Sequence, residues 1–166
     1  AEAALADKET IQYFASRYFN AHDMYFIGRN VDYAASLEAS LKLKEISYIH
    51  SEAYTAGELK HGPISLLEDG TLVIAIATYQ KLFDKMMSNV REVKARGAVV
   101  LGITVRGKEE ALKQETDYQF CVPDITDFML PSLSILPLQL FAYYVASMKG
   151  CDIDKPRNLA KSVTVE

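Results

Sequence analysis

Hydrophobic and polar positions along this chain switch between a helical and an extended rhythm. Over Asp7–Asn20, Ile11, Phe14, Ala15, Tyr18 and Phe19 recur at helical spacing, which predicts an amphipathic helix. Met24–Ile27 is a short apolar run ended by Gly28, the pattern of a buried strand. Asn30 is placed to cap a helix from Val31 to Tyr48, with Asp32 in its positively polarised first turn. Thr71–Ala77 (TLVIAIA) and Ala98–Val105 (AVVLGITV) are uncharged, β-branched runs that predict core strands. Between them lies a helical pattern over Lys81–Arg96, with Gly97 as its stop. Gly107–Gln114 predicts a short exposed helix and Tyr118–Val122 a short strand. Phe128–Met148 predicts a long apolar helix interrupted by Pro131 and Pro137 and closed by Lys149 and Gly150. The tail beyond it is charged and irregular.

Apolar strands separated by helices imply a parallel sheet covered on both faces, a doubly wound α/β domain. At 166 residues the chain fits one domain, and neither an internal repeat nor a Gly/Ser/Pro linker divides it. Composition then removes whole classes. An apolar fraction of 49%, with 8 Gly and 5 Pro, excludes fibrous, low-complexity and disordered readings. A net charge of −4, with no Lys/Arg run longer than two, lacks the footprint of a nucleic-acid binder. Cys121 and Cys151 have no metal-ligand spacing and are expected to be reduced and buried. With no leader pattern and no apolar run of about 18 residues, a cytoplasmic protein without a membrane segment is expected.

Candidate chemistry concentrates in two stretches. Ala34, Leu37, Leu41, Glu45 and Tyr48 share one helical stripe, which puts the Glu45 carboxylate on an otherwise apolar face. If buried there, it would be tuned towards a general base. A salt bridge with Lys42, or an edge position in water, explains the same residue without chemistry. Lys42 in turn follows Glu38 by four residues, which alone accounts for it as a surface pair. His50 and His61 lie in the long polar stretch Ile49–Gly70, and a segment of that kind is often functional. His61 precedes Gly62-Pro63, where a side chain can be held away from the surface and can shuttle protons. The spacing of His50, Glu52, Glu58 and His61 matches no metal motif, so no metal is expected. Nor is there a glycine-rich phosphate cradle at Gly28-Arg29-Asn30 or Thr78-Tyr79-Gln80, and no nucleotide cofactor is expected. Ser88-Asn89 has the pattern of a solvated helix face. In the tail, Arg157 and Lys161 would face the same way in a helix, and Leu159-Ala160 offers it a docking point. A lysine in a partly dry pocket can form a Schiff base, although a frayed terminus is the plainer reading.

LEASLKLKEISYIHSEAYTAGELKHGP (Leu37–Pro63) and KPRNLAKSVTVE (Lys155–Glu166) closely resemble the C-terminal part of the glucosamine-6-phosphate synthase family, and the resemblance extends over essentially the whole chain. It implies a sugar isomerase (SIS) fold, with residues 1–150 as the second SIS half and 151–166 as a catalytic tail. The glutaminase domain and the first SIS half, which holds the sugar phosphate, would be missing. By motif, Glu45 matches the base that moves a proton between C1 and C2 of the sugar, and Lys42 a substrate-binding residue supporting that step. His61 matches a histidine linked to ring opening that reaches the neighbouring subunit's site, which implies a homodimer. Lys161 matches the Schiff-base lysine, with Arg157 and Ala160 beside it in contact with substrate. The implied substrate and product are fructose 6-phosphate and glucosamine 6-phosphate, and the chain alone is expected to have little or no synthase activity. The alternative is a non-catalytic SIS module for sugar-phosphate sensing or dimerisation.

Overall fold

A computed structural model describes residues 2–5 and 7–159 of the chain. Five parallel strands form one sheet in the order β2-β1-β3-β4-β5. They are β1 (Asp23–Gly28), β2 (His50–Thr55), β3 (Leu72–Ala77), β4 (Val99–Val105) and β5 (Tyr118–Val122). The helices are α1 (Lys8–Tyr18), α2 (Val31–Ser47), α3 (Phe83–Lys94), α4 (Glu109–Lys113) and α5 (Leu130–Met148). Strand alternation sends Leu72, Ile74 and Ile76 into one core and Val73, Ala75 and Ala77 into the other. The first core lies under α1, α2 and α5, the second under α3, α4 and the loops after β2. The doubly wound α/β architecture expected from the apolar runs is therefore the one observed.

The helix α2 sits unusually close to the sheet because its inward face is small. Ala35, Ser36, Ala39 and Ser40 are buried with Leu43 and Ser47. Gly28 makes that approach possible: a Cβ there would fall 2.4 Å from the Asp32 carbonyl oxygen. The buried serines find partners locally. Ser36 Oγ donates to the Asp32 carbonyl at 2.9 Å, Ser47 Oγ to the Leu43 carbonyl at 2.6 Å, and Ser51 Oγ to the Ser40 carbonyl at 2.9 Å. Burying them therefore leaves no unpaired hydroxyl to penalise the fold.

Several expectations change. His50–Thr55, taken from the sequence as part of a polar segment, is the edge strand β2, paired with β1 from Asp23↔His50 to Gly28↔Thr55. An edge strand needs only one apolar side, so its pattern stays polar. Asn30 stands at the start of α2 with φ 55°, and no capping hydrogen bond from its side chain is formed among the described residues. Proline does not interrupt α5. Pro131 occupies the first turn, where its missing N–H costs nothing, and Pro137 is accommodated inside a helix clamped by packing on α1 and α2. α5 also turns out long and apolar enough to cross a membrane, with a mean hydropathy of 1.2, but it packs on α1 and α2 with Leu138, Phe141, Ala142 and Val145 buried. Cys121 and Cys151 are free, as expected, yet only partly buried, and burial pushes the Cys121 thiol up to about 11.

Candidate active site

α2 runs antiparallel to the strands, so its last turn lies at the edge of the sheet where the strands begin. α5 ends beside it: Cys151 Sγ approaches the Ser47 carbonyl at 4.0 Å. The tail then folds back over the end of α2. Asp152 Oδ1 accepts the N–H groups of Asp154 and Lys155 at 3.1 and 2.9 Å, a local turn typical of Asp. The N–H of Arg157 donates to Tyr48 Oη at 2.8 Å, and its guanidinium lies over the Tyr48 ring, 4.1 Å from the centroid. The described part of the tail, up to Leu159, contains no helix, so Arg157 reaches this place as an irregular segment.

The result is an open cleft of about 280 Å³ lined by Lys44, Glu45, Tyr48, Arg157, Asn158 and Leu159. Glu45 lies on its wall. Its Oε2 accepts from Lys42 Nζ at 2.7 Å, while Glu38 lies 3.8 Å from the same ammonium. The hydrogen bond to Glu45 outweighs the opposing effect of burial and pushes the Lys42 pKa up, so the ammonium is firmly protonated at neutral pH. Oε1 of Glu45 has no hydrogen-bond partner among the described residues and remains available.

The geometry corrects the argument from helical spacing. The stripe that carries Glu45 is the outer face of α2, not the buried one: Leu37 is 48% and Leu41 41% exposed, and the Glu45 side chain is 27% exposed. The carboxylate is held by an ion pair at the rim of a cleft rather than by an apolar pocket. The salt bridge weighed against catalysis does form, and it forms at the cleft.

His61 is elsewhere. It ends a short 3-10 turn, Leu59–His61, beyond the far end of β2, and its side chain is exposed. Glu45 precedes the start of β2, so the two stand at opposite edges of the sheet, about 20 Å apart along a six-residue strand. His61 does not line the cleft of its own chain. Ala160 and Lys161 lie outside the described residues, as does the end of the tail.

The carboxylate with the largest perturbation is one that sequence reading passed over. Asp32, in the first turn of α2, is 2% exposed and accepts from the N–H groups of Thr78 and Tyr79, both at 2.9 Å, and from the Thr78 hydroxyl. Burial outweighs these bonds and pushes its pKa up to about 6. Beside it, Arg29 Nε and Nη2 donate to Asn89 Oδ1 at 3.0 and 2.8 Å, and Asn89 donates to Glu92 at 3.1 Å. Asn89 is thus buried rather than solvated; only Ser88 faces water. These groups bind one another just beyond the C-terminal ends of β1 and β3. Among the described residues, no cluster of His, Cys, Asp or Glu could hold a metal ion.

Three comparisons bear on this arrangement. The family model for the SIS domain matches residues 17–149. A glutamine–fructose-6-phosphate aminotransferase (isomerizing) of Clostridium acetobutylicum is 55% identical over 166 residues, which is 100% of this chain but 27% of that protein. One from Caldanaerobacter subterraneus is 57% identical over 162 residues, 98% of this chain and 26% of that protein. The chain therefore spans about a quarter of the length of these relatives. Among solved structures, the C-terminal domain of the glucosamine-fructose-6-phosphate aminotransferase of Francisella tularensis superposes with a TM-score of 0.88 at 36% identity, over 92% of this chain and 43% of that one.

Proposed function

Since this chain belongs to the SIS-domain family, we propose that it is the second SIS half of an isomerising aminotransferase that makes glucosamine 6-phosphate from fructose 6-phosphate. The observation that carries this reading is the cleft itself. Two motifs more than a hundred residues apart, KLKEISY and the tail beginning KPRN, come together so that Glu45 faces Arg157–Leu159.

Isomerisation requires one proton to leave C1 of the open-chain sugar and one to be delivered at C2. A single carboxylate beside both carbons can do both in turn. In this reading Glu45 takes that part through its unpaired oxygen, while Lys42 fixes the carboxylate's orientation and keeps the neighbouring charge positive. Lys161, two residues beyond Leu159 in sequence, supplies the amine that condenses with the C2 ketone and releases water. Arg157 and Ala160 flank it against substrate. His61, unable to reach the cleft of its own chain, serves ring opening in the site of a second copy, which makes the working unit a homodimer. Residues 1–150 form the SIS half proper and 151–166 the catalytic tail, in a cytoplasmic enzyme.

The phosphate grip is assigned to the other half of the complete protein, so this chain alone should have little or no synthase activity. Calorimetric titration of the 166-residue chain with fructose 6-phosphate tests the split. Absent or millimolar binding is expected. Micromolar binding abolished by Lys161→Ala would show a complete sugar site in this half and overturn the division.

A further inference from the structure

Tyr48 occupies a conformation that its residue type disfavours. It ends α2 with φ 60° and ψ 17°, its N–H donating to the Lys44 carbonyl at 3.2 Å. Glycine or asparagine fills this left-handed position at lower cost, whereas a bulky side chain there is strained. A strained residue persists when its side chain is needed where the backbone places it. Here the backbone turns the ring outward under the guanidinium of Arg157, and the hydroxyl to the Arg157 N–H. Both contacts are made to the tail, and both lie one turn from Glu45.

We infer that Tyr48 is a positioning residue: it clamps the tail at Arg157 and so holds Arg157–Leu159 as the wall of the cleft that faces Glu45. The inference rests on the proposed reading of Glu45 and Lys161, but the clamp itself can be tested without it. Tyr48 touches neither reacting atoms nor, in this reading, the sugar. It acts by fixing how often the tail is docked.

Two arms separate the clamp from its consequence. In the 166-residue chain, the guanidinium on the Tyr48 ring and the bonded Arg157 N–H both oppose the extended seating that trypsin needs, so the rate of cleavage after Arg157 rises with the undocked population. Tyr48→Asn removes the ring and hydroxyl yet suits the left-handed backbone, so the fold should be kept and melting should not fall. Cleavage after Arg157 should rise roughly ten-fold, as expected for losing one cation–π contact and one hydrogen bond. The side-chain protons of Arg157 should also lose their ring-current shift in NMR spectra. An unchanged cleavage rate would eliminate the clamp.

In the complete aminotransferase, Tyr48→Asn should lower kcat roughly ten-fold with little change in KM for fructose 6-phosphate. Tyr48→Phe, which keeps the ring, should restore most of it. Faster cleavage with kcat untouched would make the contact structural only and overturn the positioning role. Isomerisation that survives Glu45→Gln would sink the functional reading and the positioning role with it, while the proteolysis result still decides whether the clamp exists.

Discussion

The two ends of α2 each carry a carboxylate, and they are treated in opposite ways. At its first turn Asp32 is buried and saturated: three donors from the loop after β3 occupy it, and water cannot reach it. In the last turn Glu45 is half-buried and lines a cleft, with one oxygen tied to Lys42 and the other without a hydrogen-bond partner among the described residues. Burial perturbs the Asp32 pKa although its oxygens are already occupied, so perturbation alone does not mark a group as available for chemistry. What distinguishes a group available for chemistry is an unoccupied lone pair facing space that a substrate can enter. Asp32 instead behaves as a fastener that joins α2 to β3.

The contrast is most exposed to Glu45→Gln in the complete enzyme. Isomerisation should fall by roughly 10²–10⁴-fold, the usual contribution of a positioned base, while the melting temperature barely moves. If Asp32→Asn abolished turnover in a fully folded protein and Glu45→Gln did not, the roles assigned to the two ends would be exchanged. Next in size, Asp32→Ala leaves three buried donors without an acceptor and should destabilise the fold by about 3 kcal/mol in urea titrations. The pH dependence sharpens the same point. The native state holds the Asp32 proton up to about pH 6, whereas the unfolded chain releases it near 3.8. Stability from this group is therefore highest below the lower value, falls by up to about 3 kcal/mol as pH rises through that window, and is level above it. Subtracting the profile of Asp32→Asn from that of the wild type should reveal this slope, and parallel profiles would refute it. The smallest effect is expected from Lys42→Met. As one partner of a partly exposed pair it should cost less than about 1 kcal/mol of stability and reduce turnover far less than Glu45→Gln.

How much of this was legible in the sequence depended on where polar atoms found their partners. β3 and β4 were plain because both their faces are covered and no charged residue interrupts them. β2 was hidden because HSEAYT pairs on one side only. α2 was located correctly but read with its faces exchanged. Its serines, bonded back to the helix or to β2, go inside, while Leu37 and Leu41 stay outside. Periodicity assigns faces by polarity and cannot know that a hydroxyl has been satisfied locally. The stripe thus singled out Glu45 on a premise of burial that the structure does not meet, and its proposed role rests on the resemblance in motif. Asn89, the partner of Arg29, was missed because the 60 residues between them carry no local trace of the contact.

The clamp between Tyr48 and Arg157 joins residues 109 positions apart. In the course of synthesis, the sheet, α2 and α5 can all be completed before the tail has left the ribosome. The wall that holds Glu45 therefore exists well before the wall that faces it. A polypeptide stopped before Arg157 would bury the same core and pass the same checks on folding, yet it would present Glu45 to open water. In this architecture, a well-folded protein and a finished cleft are separate milestones, and the second is reached only once the segment around Arg157 has been made.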